Sequence, residues 1–67
     1  MNIINAGILV QKRRKALGVD QRELSRIAGI SVHALSNIES GVGNPTLKTL
    51  AKVLDALGLE LKVQPKS

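Results

Sequence analysis

Apolar residues recur along this chain at helical spacing and are interrupted by glycines, a pattern that predicts four helices followed by a short extended tail. The first helix is expected over about residues 4–17. There Ile8, Leu9, Lys12, Ala16 and Leu17 follow helical spacing, and Gly18 is placed to end the helix in a left-handed conformation. The second is expected over residues 21–28 with Leu24, Ile27 and Ala28 inward. It is opened by Asp20, whose carboxylate can accept from the free amides of the first turn, and Glu23 stands at the capping-box position. Gly29 ends it, and Ser31 at once caps a third helix over residues 32–40, which stops at Gly41. Thr46 caps a fourth over residues 47–57, with Leu47, Leu50, Ala51, Leu54 and Leu57 on one face, Lys48 and Lys52 on another, and Gly58 at its end. Leu59-Glu60-Leu61-Lys62-Val63 alternates strictly and reads as one strand. No linker or repeat divides residues 1–67, so a single all-α domain of four compact helices with a C-terminal strand is expected.

Composition narrows what such a domain can do. At 67 residues the core is small enough that stability near the lower limit, or help from a second subunit, is expected. The absence of cysteine excludes disulfides, thiolate metal sites and zinc fingers. The apolar stretches fall short of the roughly 20 residues that span a bilayer, and Met1-Asn2-Ile3-Ile4 lacks the basic start of a signal peptide. A cytoplasmic address, with no membrane, metal or cofactor, is the expectation. Ten Lys and Arg against five acids leave a formal charge of +5, and Lys12-Arg13-Arg14-Lys15 places four cations in one helical turn. A polyanionic partner is the first reading of that cluster; a solvated basic face, favourable to the helix dipole, is the other. The chain has no Phe, Trp or Tyr, whereas single-stranded nucleic acids are commonly gripped by stacking on aromatic rings. Duplex DNA is therefore the better candidate.

The most specific signal lies in residues 21–40. Two short helices joined by a three-residue turn must cross steeply, which requires Leu24 and Ala28 to face inward, Ser25 to be small, Gly29 to supply the turn, and Leu35 and Ile38 to anchor the second helix. The same spacing leaves Val32, His33, Ser36, Asn37 and Ser40 on the opposite face, short-chained and without an acid among them.

Gln21-Arg22-Glu23-Leu24-Ser25-Arg26-Ile27-Ala28-Gly29-Ile30-Ser31, followed by Leu35-Ser36-Asn37-Ile38-Glu39-Ser40-Gly41, resembles the helix-turn-helix of lambda-repressor-like (Cro/CI-type, Xre) regulators. Arg14, Gly18, Pro45-Thr46-Leu47, Leu50, Leu54, Leu57 and Gly58 fall where that family has its flanking helices. The resemblance implies a transcriptional repressor that is not an enzyme. Its second motif helix would enter the major groove, and Ser31, Val32, His33, Ser36 and Asn37 would read bases. Asn37 can bond bidentately to adenine, Val32 can pack on a thymine methyl, and His33 can donate to guanine. Arg14, Gln21, Ser40, Asn44 and Lys48 would hold phosphates. The resemblance further implies an internal ion pair between Arg14 and Glu39.

Two departures bear on affinity: Val42 and Gly43 stand where relatives often carry Lys or Arg, and Asp20 places an acid near the expected DNA backbone, where it reads as a helix cap. His33 and Ser36 lie one turn apart, but no orienting third group or oxyanion site accompanies them. The leucines of the fourth helix read as core, with a zipper as the alternative.

A lone strand needs a partner, so Leu59, Leu61 and Val63 are expected to pair with the same strand of a second copy in a homodimer. The segment from Thr46 to Val63 is also similar to HipB-type antitoxins, which implies an autorepressing antitoxin with a HipA-type kinase toxin as partner. An ordinary standalone regulator is the alternative. A further rival from another class is a protein-interaction module on the same fold, without DNA binding.

Overall fold

Three side-chain caps set where helices begin. The Asp20 carboxylate accepts from Glu23 N–H at 2.8 Å, Ser31 Oγ from Ala34 N–H at 3.0 Å, and Thr46 Oγ1 from Thr49 N–H at 3.1 Å. Each satisfies an amide that the first turn of a helix otherwise leaves to water. The computed structural model describes residues 3–62, 64 and 65. It comprises α1 (Ile3–Ala16), α2 (Gln21–Ala28), α3 (Val32–Ser40) and α4 (Leu47–Ala56). Asp20→Ala is expected to cost about 1 kcal/mol, read as a lower urea midpoint at unchanged slope. Asp20→Asn should retain the cap, and an equal loss in that variant would show that the charge matters more than the capping bond.

The turn between α2 and α3 is residues 29–31. Gly29 adopts φ 74°, a left-handed conformation in which a side chain would be strained. Its N–H donates to Arg26 O, and Ile30 N–H reaches back to Ser25 O at 3.0 Å, so two terminal carbonyls of α2 are satisfied and the chain reverses at once into α3. Gly18, Gly41 and Gly58 share the same backbone region at the other helix ends.

α1 packs on α3, and α2 packs on both α3 and α4. The core unites Val10 of α1, Leu24 and Ala28 of α2, Leu35 and Ile38 of α3, Val53 and Leu54 of α4, and Leu57 just beyond it. Ser25 is buried at the α2 crossing and its hydroxyl donates to Arg22 O at 2.8 Å, so the buried oxygen has its partner.

The faces of three helices differ from the periodicity-based expectation. In α1 the buried line is Ala6, Gly7, Val10 and Arg14, while Ile8, Leu9, Ala16 and Leu17 are exposed. At Gly7 the backbone of α3 comes close enough that no side chain fits, and this approach leaves Ile8, Leu9 and Leu17 on the outer side of α1. A Cβ at Gly7 would run into Ile38 O and stand 2.9 Å from Glu39 O. Ile27 is 59% exposed because α2 turns its Leu24–Ala28 line, flanked by Ser25, towards its neighbours. In α4, Leu47 is 67% exposed and Ala51 is also outside, whereas Val53 is buried; the helix leans on the core with its C-terminal half. α4 ends at Ala56, with Leu57 as its cap.

The expected strand is absent among the described residues of the single chain. Leu59 packs partly buried against the core, and Glu60, Leu61 and Lys62 are exposed without a ladder. Val63, the last residue expected in the strand, lies outside the described residues. Alternation alone supplies no ladder partner, and one copy of the tail has nothing to pair with.

Candidate nucleic-acid interface

α3 is held from behind by an ion pair. Arg14 Nε donates to Glu39 Oε2 at 2.7 Å and Arg14 Nη2 to Glu39 Oε1 at 2.9 Å, a bidentate fork joining α1 to α3. The side chains are 10% and 2% exposed. Arg14 Nη1 also donates to Val19 O at 2.8 Å, and Gln21 Nε2 donates to Glu39 Oε1 at 3.1 Å, so the start of α2 is tied into the same cluster. The hydrogen bonds that Arg14 donates to Glu39 raise its pKa above its already high ordinary value; burial opposes this, and the charges of Glu39 and then Asp20 add to it. A raised base pKa gives a stabilisation that is complete below the unfolded-state value and is lost only as pH rises through the folded-state value. That window lies in strong alkali, so Arg14 holds its charge at any working pH.

This geometry changes what Arg14 and Gln21 can offer. The resemblance implies two roles for Arg14, ion-pair partner and phosphate ligand. With three of its nitrogens donating inward and little surface exposed, it serves the α1–α3 junction and has limited reach to a phosphate. Gln21 is half-buried with its amide directed at Glu39.

The basic cluster on α1 is likewise divided. Arg14 is buried, while Lys12, Arg13 and Lys15 are exposed, and Arg13 Nε donates to Leu57 O at 3.1 Å, which caps the end of α4. Nothing in local spacing distinguishes these four residues, because their roles depend on which neighbours the fold brings against α1.

The opposite side of α3 is open. Val32, His33 and Ser40 are exposed, and Ser36 and Asn37 are half-buried along the same face. Asn37 Nδ2 lies 3.3 Å from His33 Nε2, one turn back. Ser31 is exposed at the helix start; its oxygen accepts the capping bond, and its hydroxyl hydrogen is left to donate. Ser40 Oγ donates to Ser36 O at 2.9 Å, folded onto its own helix. Between residues 31 and 47 the one Lys, Arg, Asp or Glu is Glu39, already neutralised by Arg14. The outward face of α3 therefore presents hydrogen-bonding groups without net formal charge.

Beside it, Asn37 and Ala34 on α3 and Asn44, Pro45 and Thr46 on the following loop line a shallow cleft of about 290 Å³. Asn44 and Asn37 thus line the same cleft, and exposed Lys48 follows in the first turn of α4. On the exposed side of α2, Arg22 and Arg26 stand one turn apart among Asp20 and Glu23. These two arginines were not among the expected contacts, since Asp20 and Glu23 mask them in any local charge count.

The chain is 38% identical over 52 residues to an uncharacterized HTH-type transcriptional regulator of Haemophilus influenzae, covering 78% of this chain and 53% of that protein. It is 37% identical over 49 residues to the cryptic phage CTXphi transcriptional repressor RstR of Vibrio cholerae, covering 73% and 44% respectively. The chain thus spans about half the length of these curated relatives. Its fold is similar to that of the restriction-modification controller protein C.AhdI of Aeromonas hydrophila, with TM-score 0.80 and 26% identity over 87% of this chain and 88% of that one. The family described as Helix-turn-helix, HTH_3, matches residues 10–64, and the chain belongs to this Cro/CI/Xre-type family.

Proposed function

We propose that this protein is a sequence-specific duplex-DNA-binding transcriptional repressor that lays α3 in the major groove. The observation that carries the reading is the outward face of α3: hydrogen-bonding and small apolar groups without net formal charge, on a helix fixed from behind by the Arg14–Glu39 fork. Such a face is suited to base edges, whose donors and acceptors are read by short polar side chains at close range. Ser31, Val32, His33, Ser36 and Asn37 read bases. Ser40, Asn44 and Lys48 hold phosphates, Gln21 contributes the backbone N–H at the start of α2 while its side chain stays on Glu39, and Arg14 acts chiefly through Glu39. The named repressor and controller among the similar proteins support this reading.

The protein binds as a homodimer to an inverted repeat, with half-sites about 34 Å apart on one DNA face. The exposed tail carrying Leu61 is one candidate for the contact between copies. The likeness to HipB-type antitoxins rests on the segment from Thr46 to Val63, whose expected strand is absent among the described residues, so no toxin partner is part of the proposal.

Selection of bound sites from a random duplex library at near-physiological salt, with oligomeric state measured in parallel, tests the reading. An enriched inverted repeat bound by a dimer is the expected result. A well-folded protein that enriches no sequence would overturn it and favour the protein-interaction module. On the selected site, Asn37→Ala is expected to reduce discrimination at one base position by about 5- to 150-fold. Lys48→Ala should weaken all sites alike and reduce the salt slope by about 1. The reverse pattern would exchange the roles of reader and clamp.

A further inference from the structure

We propose that His33 is a positioning residue that sets which edge of the Asn37 amide faces the groove, so that the two form one coupled reading unit. The inference rests on the base-reading role proposed above for α3 and deepens it. Asn37 Nδ2 lies 3.3 Å from His33 Nε2 across one helical turn, and both side chains are on the open face. A neutral imidazole has one donating and one accepting nitrogen, whereas an amide has an accepting oxygen and two donating hydrogens on its nitrogen. With Nδ2 directed at the ring, His33 Nε2 must accept, and the ring proton resides on Nδ1. One amide hydrogen is then engaged. The other hydrogen and Oδ1 remain together as a donor-and-acceptor edge.

That remaining edge complements adenine, which presents N7 as acceptor and N6–H as donor in the major groove. His33 Nδ1–H is left as a donor for a neighbouring acceptor. The other tautomer reverses the arrangement. If Nε2 carried the proton, the amide would turn to place one lone pair of Oδ1 on the ring, and the other lone pair with one Nδ2 hydrogen would form the same edge in reversed order. Presented from the same direction, the reversed edge sets donor against donor and acceptor against acceptor at adenine N6–H and N7 and no longer matches adenine. The ring also limits the rotation of a side chain that would otherwise have to be ordered on binding. Avoiding the loss of one side chain's freedom is worth about two- to tenfold in affinity.

His33 is the one histidine of the chain, so its ring nitrogens can be read directly by 15N NMR in the intact free protein, with the ring neutral. The expected spectrum has a protonated Nδ1 and an unprotonated Nε2, shifting in Asn37→Ala towards the Nε2–H form that free imidazole side chains favour. In site selection, His33→Ala should lower the adenine preference at the Asn37 position about fivefold or more although Asn37 is intact. The two substitutions should be non-additive there in a double-mutant cycle. An Nε2–H ring in the wild type, or additive effects confined to separate base positions, would overturn the proposal. Should Asn37→Ala leave every base preference unchanged, the base-reading role itself fails, and the tautomer in the free protein still decides whether the side chains are coupled. Both residues lie outside the core, so folded variants are expected, and a thermal melt checks this.

Discussion

Replacing Glu39 with glutamine is expected to destabilise the protein by about 3 kcal/mol or more, the range found when one partner of a buried ion pair is removed. The reason is what remains behind. Arg14 keeps its charge, its side chain is 10% exposed, and both the 2.7 Å and 2.9 Å bonds to a carboxylate are lost or weakened. A glutamine amide offers one oxygen where the fork needs two, and turns donating hydrogens towards a cation. For a domain of this size each kcal/mol shifts the melting temperature by about 4–8 °C, so a fall of at least about 12 °C is expected in a thermal melt. Replacing both partners, Arg14→Met with Glu39→Leu, should recover most of the loss, because no orphaned charge is left inside. A near-neutral Glu39→Gln would show that water or the neighbouring Gln21 amide compensates. DNA affinity should fall beyond the loss of folded fraction, since Glu39 also fixes the pitch of α3 against α1.

The second large effect concerns Gly7, for which helix propensity and packing give opposite signs. Gly7 lies within α1, and in an exposed helix a change from glycine to alanine stabilises by about 1 kcal/mol. Here the added methyl would collide with Ile38 O and sit 2.9 Å from Glu39 O. Those atoms are backbone of α3, and they cannot turn aside as a side chain would. Overpacking of this kind costs typically about 1–3 kcal/mol, and a backbone clash belongs at the upper end. Gly7→Ala is therefore expected to lower the urea midpoint strongly. The opposite sign, a rise in stability, would mean that α1 and α3 are farther apart than the structure places them. Because the displaced segment leads into Ser40, the variant should also lose site discrimination where it remains folded.

Element boundaries were legible because each depends on a few adjacent residues. Asp20, Ser31 and Thr46 cap their helices through bonds to amides three residues on. Gly29 turns the chain with a backbone geometry that needs no distant partner. The outward set on α3 was legible for a related reason: with Leu35 and Ile38 as the anchors of so short a helix, the other side follows from helical geometry. The Arg14–Glu39 contact came from family resemblance, since a separation of 25 residues carries no local signal.

Helix faces were less legible. Ile8, Leu9 and Leu17 make the bulkier stripe of α1, yet the helix buries a glycine, an alanine, a valine and an arginine instead. Hydrophobicity describes a preference for leaving water, but the space available depends on the neighbour that arrives, and α3 arrives within one atom's width of Gly7. The same holds for Arg13, whose carbonyl partner lies 44 residues away, and for the two exposed flank positions Ile27 and Leu47. The amino-acid sequence by itself determined four helices, their ends, the three-residue turn and the polar face of α3, all of them consequences of local hydrogen bonding and helical spacing. Only the tertiary structure decided which side of α1 is buried and which cations are occupied internally. Those outcomes depend on close packing and on atom-to-atom distances that no pattern along the chain encodes.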